Sequence, residues 1–164
     1  MAARPGRSRV AYLTRFSNTR VFAKALSREL PADLFEIRAA DPYPEDYFAH
    51  VERARRERDA RATPDLASDV ASLDPYRTIY LGFLIWVTEL PAPVRTFVIQ
   101  HDFEGKTLVP FVTHGKYGAG SSLSTLADLT PGARRMKPFV LECDQGRRQL
   151  SELDDWLSSV QAAL

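Results

Sequence analysis

Cysteine, histidine and long apolar stretches are scarce in this chain of 164 residues, and each scarcity excludes a class of protein. A single cysteine, Cys143, excludes an internal disulfide framework and a cysteine-rich metal site. The three histidines lie far from one another and from the cysteine, so no metal site is predicted. No apolar stretch approaches the ~20 residues that span a bilayer, and we therefore expect no membrane association.

An excess of charge of one sign is also lacking. Lysine and arginine number 22 against 21 acidic residues, and the net charge of +1 provides no field that would attract nucleic acid or an anionic membrane. The first residues lack the apolar core of a signal peptide, which favours a cytoplasmic protein. Residues 1–8 are predicted to form a disordered basic tail, and residues 9–164 a single domain.

Short apolar stretches alternate with helical patterns along the chain. The predicted strands are 9–14, 33–38, 78–85, 107–113 and 138–143. The predicted helices are 18–28, 45–61, 93–100, 120–129 and 150–160. Because parallel strands require crossover connections, this alternation predicts a doubly wound, three-layer α/β domain with its ligand at the carboxyl ends of the strands.

Two local features qualify this prediction. Pro110 lies inside the fourth strand and has no N–H to donate, which predicts a bulge there. The chain has 18 arginines against 4 lysines, and those in residues 50–61 alternate with acids at helical spacing. This pattern predicts a solvent-facing helix surface, with a docking site for a partner protein as the alternative.

The loop after the first strand is rich in hydrogen-bond donors. The side chains of Thr14, Ser17, Asn18 and Thr19, together with the free amides at the start of the following helix, predict a cradle for a phosphate or another anion. The alternative is that Asn18 and Thr19 only cap this helix.

The loops after the third and fourth strands complete the predicted site. Trp86 either forms a stacking wall for a flat ligand or is a core residue. Gly115, Gly118 and Gly120 would allow the backbone to approach a ligand closely, although their spacing is not the dinucleotide-binding fingerprint. His114 precedes these glycines and is a candidate site residue.

Several motifs together resemble the short flavodoxin-like family, over nearly the whole chain from Val10. They lie at residues 12–19, 41–47, 81–86, 93–97, 110–115 and 129–133. The resemblance implies a flavodoxin-like α/β/α sandwich with a five-stranded parallel sheet of order 2-1-3-4-5, and FMN as the cofactor. The residues that it implies around FMN are Thr14, Arg15, Phe16, Ser17, Asn18, Thr19, Leu84, Ile85, Trp86, Val87, Thr88, His114, Gly115, Gly118 and Gly120.

The chain departs from the usual pattern of that family at both ends of this site. Phe16 stands for a hydroxyl residue and Ser17 for a glycine, and a phosphate oxygen left unpaired by this change costs about 1–3 kcal/mol. Val87 stands for a second tryptophan and Thr88 for a glycine. Because Thr88 is β-branched, we expect it to resist the positive φ that such a loop can require.

Two functions therefore remain open. In the first, the protein binds FMN and acts in electron transfer or as a small oxidoreductase; the balanced charge favours a reductase over an acidic carrier. In the second, the fold has lost FMN, Lys116 and Tyr117 occupy the space of the flavin ring, and the site is that of a cofactor-independent biosynthetic enzyme. Its candidate acids and bases are His114, Lys116, Tyr117, Glu89 and Asp102. We expect a small-molecule ligand or a redox partner, and a homodimer is a further possibility.

Overall fold

The computed structural model describes residues 7–15, 18–142 and 148–164, with the side chains of residues 148–151 excepted. Its strands are β1 (Arg7–Tyr12), β2 (Ala32–Glu36), β3 (Tyr76–Leu84), β4 (Thr107–His114), β5 (Arg134–Arg135) and β6 (Phe139–Glu142). Its helices are α1 (Asn18–Glu29), α2 (Tyr47–Asp59), α3 (Ala92–Gln100), α4 (Ser122–Leu129) and α5 (Arg148–Ala163). Within these residues, no helix has the length and apolar character needed to cross a membrane.

The strands form one parallel sheet of order β2-β1-β3-β4-β5, and β6 also pairs with β4. Helix α1 packs against α5 on one face of the sheet, and α3 packs against α2 and α4 on the other. The predicted α/β/α sandwich and its strand order 2-1-3-4-5 are thereby confirmed.

Alternate residues of the central strand β3 enter two separate cores. Ile79, Leu81 and Phe83 are buried on the side of α2, α3 and α4, while Tyr80 is buried on the side of α1 and α5. A strand covered on both faces needs apolar residues at consecutive positions, which explains the nearly uninterrupted apolar sequence of β3.

The two ends of the sheet differ from the sequence prediction. Strand β1 begins at Arg7 rather than at residue 9, because Arg7 and Ser8 already pair with β3 and the Arg7 guanidinium lies 3.1 Å from the Asp33 carboxylate. Residues 1–6 of the predicted tail lie outside the described residues, as does Cys143. The predicted last strand begins one residue later than expected, at Phe139, and is preceded by the two-residue β5.

The bulge predicted at Pro110 is wrong. Pro110 pairs with Leu81 inside a β3–β4 ladder whose register runs without a shift. On the other edge of β4, the Met136 N–H donates to the Leu108 carbonyl at 2.9 Å, so the even-numbered residues present their backbone groups to β5 and β6. Because Pro110 falls between the segments paired with β5 and β6, its missing N–H interrupts no ladder.

We expect Gly82→Ala to lower the free energy of unfolding by about 1–3 kcal/mol, because the core is too full for another methyl group. A Cβ at this position would lie 2.0 Å from the Phe111 ring. Urea denaturation measures the change. In the control Gly115→Ala the added atom meets nothing within 4 Å, and the stability should change by no more than about 0.5 kcal/mol. Equal stability of the two variants would contradict the packing argument.

Candidate functional site

A cavity of about 480 Å³ opens at the carboxyl ends of β1, β3 and β4. Its size is typical of a small-molecule site, for which volumes of roughly 300–1,000 Å³ are usual. The three predicted loops and the first half of α2 form its wall. The predicted residues that the structure brings together there are Thr14, Arg15, Asn18, Thr19, Leu84, Ile85, Trp86, Val87, Thr88, His114, Gly115, Lys116, Tyr117 and Gly118.

Other predicted residues lie away from the cavity wall. Asp102 precedes β4 and so lies at the amino ends of the strands, opposite the cavity. Its carboxylate accepts the Glu104 N–H at 2.8 Å. This position removes Asp102 from the candidate acids and bases of the site. Phe16 and Ser17 lie outside the described residues.

One end of the cavity is suited to an anion. Thr14 and Asn18 reach it from the end of β1 and the start of α1. Among the described wall residues none is acidic, whereas Arg15 and Lys116 are cationic. A negatively charged ligand group is therefore favoured at this end by side-chain charge and by the dipole of α1.

Thr19 occupies a buried position between the first and third loops. Its hydroxyl lies 2.9 Å from the Thr113 hydroxyl, at the end of β4. A hydroxyl group both donates and accepts, so this contact leaves capacity on one of the two oxygens for a ligand. Thr19 therefore joins β4 to the anion end of the cavity, which the sequence did not reveal.

The second loop contains a tight turn with two residues in the left-handed region. The backbones of Trp86 and Glu89 exchange hydrogen bonds of 3.2 and 3.1 Å, and Val87 and Thr88 between them have φ values of 51° and 62°. A two-residue turn of this kind requires positive φ at both central positions. Thr88 adopts the conformation that it was expected to resist, because bonds from neighbouring elements hold the turn in place.

Those bonds come from α2 and from the start of α4. The Arg58 guanidinium donates to the Val87 carbonyl at 3.1 Å. The Thr88 carbonyl accepts from the Ser121 N–H at 2.9 Å and from the Ser121 hydroxyl at 3.1 Å. Gly120 packs so closely under this carbonyl that a Cβ would lie 2.1 Å from its oxygen. Gly120 is therefore needed for contact between the two loops and does not reach the cavity wall.

Glu89 also holds the loops together and does not face the cavity. Its carboxylate accepts the Thr125 hydroxyl at 2.9 Å and the Leu90 N–H at 2.7 Å, and it shares the single proton of the Ser121 hydroxyl, at 2.9 Å, with the Thr88 carbonyl. Both carboxylate oxygens are therefore bonded to the protein, and Glu89 is not part of the cavity wall. Glu89 is thus an anchor for the start of α4.

His114 and Tyr117 shape the mouth of the cavity. The Gly118 N–H donates to His114 Nδ1 at 3.1 Å, so the neutral imidazole carries its proton on Nε2. The Tyr117 side chain is 89% exposed and does not fill the space of a flat ring. Lys116 is likewise exposed.

Helix α2 also contributes side chains to the cavity wall, which was not predicted from the sequence. His50 is only 3% exposed, and its ring lies 4.4 Å from that of Trp86, at 90° to it, and 5.1 Å from that of Tyr43. Burial, and then the positive charges of Arg15 and Arg53, lower the pKa of His50 to about 4. The signal was the spacing of Tyr47, His50, Val51 and Ala54 along one face of the helix, within a stretch dominated by charge.

Arg53 faces inward, contrary to the prediction of a solvent-facing helix surface. Its guanidinium donates to the carbonyls of Asp41 and Pro42 at 3.1 and 3.0 Å, and it lies 4.0 Å from the centre of the Tyr43 ring. The Tyr43 hydroxyl in turn donates to Glu57, which with burial raises the pKa of Tyr43. This network holds the loop before α2 against the cavity wall.

Comparison with known proteins bears on the whole chain. A family model described as Flavodoxin matches residues 7–160. A comparison with curated proteins gives no match.

Solved structures with the same architecture cover nearly the whole chain. A protein from Bacteroides uniformis, provisionally named a flavoprotein, is 28% identical, with a TM-score of 0.81 over 94% of this chain and 99% of its own. A provisionally named flavoprotein from Bacteroides eggerthii is 25% identical, with a TM-score of 0.82 over 95% of this chain and 98% of its own. A flavoprotein from Lactobacillus acidophilus, solved in complex with FMN, is 17% identical, with a TM-score of 0.73 over 92% of this chain and 98% of its own, and shows likeness of fold.

We expect Thr88→Gly to raise the free energy of unfolding by about 1 kcal/mol, because glycine adopts the positive φ of this exposed position without strain. Chemical denaturation of the variant measures the effect. The matched control is Thr63→Gly, which is also exposed but lies outside the left-handed region, and it should be neutral or destabilising. Destabilisation by both substitutions would argue against strain in the turn.

Protein stability should depend on the titration of His50. Because its pKa is about 4 in the folded protein and about 6.5 in an unfolded chain, the unfolded state binds the proton first as the pH falls. The free energy of unfolding should therefore decrease between pH 6.5 and pH 4, by up to about 3 kcal/mol from this group. His50→Gln should show a flatter profile in denaturation at several pH values, and parallel profiles would disprove this account.

Proposed function

The chain belongs to the flavodoxin family, and from this premise we propose that its cavity binds FMN and that the protein transfers electrons, as a carrier or a small oxidoreductase. One observation supports the proposal most directly. A single cavity joins an end suited to an anion, at Thr14 and Asn18, to an aromatic wall at Trp86. FMN has the matching construction, with a phosphate at one end and a flat ring at the other.

The phosphate end fits the donors that the described residues supply. The helix α1 begins at Asn18 and borders the cavity, so its first amides are oriented toward a bound anion. Arg15 lies in the same wall, where its guanidinium donates to the Glu45 carbonyl at 3.1 Å. This bond holds a positive charge beside the expected position of the phosphate.

The ring end fits a flat, largely apolar group. Trp86 contributes its indole to the wall beside Val87 and Ile85. In the third loop of the same wall, a Cβ added at Gly115 or Gly118 would meet no atom within 4 Å, so the chain leaves open space next to the cavity there. A ring that enters the cavity can therefore lie between an aromatic wall and an unobstructed backbone.

FMN, when bound, supplies the uptake and release of one or two electrons. The chain supplies binding, orientation and exclusion of water from one side of the ring. The net charge of +1 gives no strong field for docking a charged protein, which favours a small-molecule acceptor such as a quinone or a second flavin.

Titration with FMN and with riboflavin tests the proposal. We expect the protein to quench the fluorescence of both and to bind FMN at least about tenfold more tightly, because riboflavin lacks the phosphate that the α1 end attracts. FMN retained after desalting would show a visible flavin spectrum. Complete loss of FMN would contradict the proposal and would favour the flavin-free enzyme centred on His114.

A variant at the start of α1 locates the phosphate. Asn18→Ala should weaken FMN binding by about tenfold and leave riboflavin binding unchanged. The control Ser27→Ala removes a hydroxyl that bonds the Lys24 carbonyl at the other end of the same helix, and it should change neither affinity. An equal effect of Asn18→Ala on both ligands would place the phosphate elsewhere.

A further inference from the structure

Two polar side chains in the cavity wall have no hydrogen-bond partner. Both ring nitrogens of His50 and the indole nitrogen of Trp86 are buried, and none of the three finds a donor or acceptor among the described residues. The side chains are 3% and 9% exposed. A buried polar group left unpaired destabilises the folded protein, so the presence of two such groups at one site requires an explanation.

The perpendicular contact between these two rings explains only part of it. At a ring separation of 4.4 Å, one N–H can point at the face of the other ring, a weak bond that satisfies one donor. The face of a ring offers nothing to the lone pair on the second imidazole nitrogen. The pair therefore retains one free acceptor, on His50, and one further N–H, on His50 or Trp86, without an oxygen or nitrogen acceptor among the described residues.

The neighbouring side chains do not supply the missing partners. The Tyr43 ring packs beside both rings, and its hydroxyl donates to Glu57 and bonds none of the three nitrogens. The Arg53 guanidinium lies over the Tyr43 ring and donates to the backbone of the preceding loop. Because burial and the nearby cations keep His50 neutral above about pH 4, its lone pair is available at physiological pH.

We propose that His50 and Trp86 form a binding pair for a ligand edge that carries a donor and an acceptor side by side. The lactam or imide edge of a heteroaromatic ring has this chemistry, as does a phenolic hydroxyl group. The ligand N–H or O–H donates to the imidazole lone pair, and the ligand oxygen accepts from the indole or imidazole N–H. Because all three nitrogens are buried, this binding requires the imidazole to turn about its Cβ–Cγ bond, a torsion with broad minima.

This inference rests on the proposed function, and two molecules could supply such an edge. One is the cofactor, through the pyrimidine side of the FMN ring. The other is a hydroquinone, the reduced form of a quinone that exchanges electrons with the cofactor. Both present the same chemistry to His50 and Trp86, so the experiment must separate the sources.

Nitrogen NMR of the ¹⁵N-histidine-labelled protein provides a readout that does not depend on activity. The chain has three histidines, and the resonances of His50 are assigned by their absence in His50→Gln. His101 lies outside the cavity wall and is paired with Asp69 at 2.7 Å, which makes it an internal control. The probes are FMN alone, and then benzohydroquinone added to the FMN-loaded protein.

We expect the ring nitrogens of His50 to shift when a probe binds, while those of His101 stay in place. A shift with FMN assigns the pair to the cofactor, and a shift only after benzohydroquinone is added assigns it to the quinone that exchanges electrons with the cofactor. If FMN binds by absorbance and neither probe shifts His50, the pair has no ligand and the inference is overturned while the proposed function stands. If FMN does not bind, the proposed function fails, and benzohydroquinone is added to the free protein instead. A shift of the His50 ring nitrogens then supports the binding pair, and no shift overturns it.

Substitutions give an independent test of the same pair. Trp86→Phe keeps the aromatic wall but removes the N–H, and His50→Leu removes both nitrogens. Each should raise by about tenfold the dissociation constant of FMN, or that of benzohydroquinone if that is the ligand. His50→Gln, which keeps a donor and an acceptor, should retain most of the affinity. Unchanged or tighter binding in His50→Leu would show that His50 is only a packing residue.

Discussion

The end of the sheet where the cavity opens depends on the bonds between the turn at Thr88 and the residues at the start of α4. The Thr88 carbonyl accepts the Ser121 N–H, and the Ser121 hydroxyl is shared between this carbonyl and the Glu89 carboxylate. Glu89 also accepts the Thr125 hydroxyl. Because of these contacts, two β-branched residues keep positive φ values that glycine would adopt more readily. The position of Trp86, and with it the aromatic wall of the cavity, follows from a turn that its own sequence disfavours.

The fold was predictable from the sequence because each central strand is buried on both faces. The apolar run of β3 and the alternation of strands and helices are sufficient to predict a parallel sheet between helical layers. The strand order came only from the family resemblance. The sequence did not reveal that Pro110 faces the gap between β5 and β6. A proline within a strand does not show on which side of the strand the neighbouring strand is missing.

The site was predictable wherever it consists of loops that follow strands. Thr14, Trp86 and His114 reach one cavity because the carboxyl ends of parallel strands share an edge. His50 could not be predicted in the same way, because it lies within helix α2 and does not directly follow a strand. The sequence does not show that this helix packs beside the carboxyl ends of the strands. Glu89 and Asp102 carry suitable acidic groups, yet Glu89 is bonded to neighbouring loop and helix groups outside the cavity wall, and Asp102 lies at the amino ends of the strands.

The absence of carboxylates from the described wall of the cavity has a consequence for any molecule that is reduced there. A molecule that is reduced there without taking up a proton gains negative charge, and the cations of the wall favour that charge while no carboxylate of the described wall opposes it. For such a molecule, thermodynamic linkage between charge and binding raises the reduction potential in the cavity. The charges of the wall therefore favour the reduced form of such a molecule over its oxidised form.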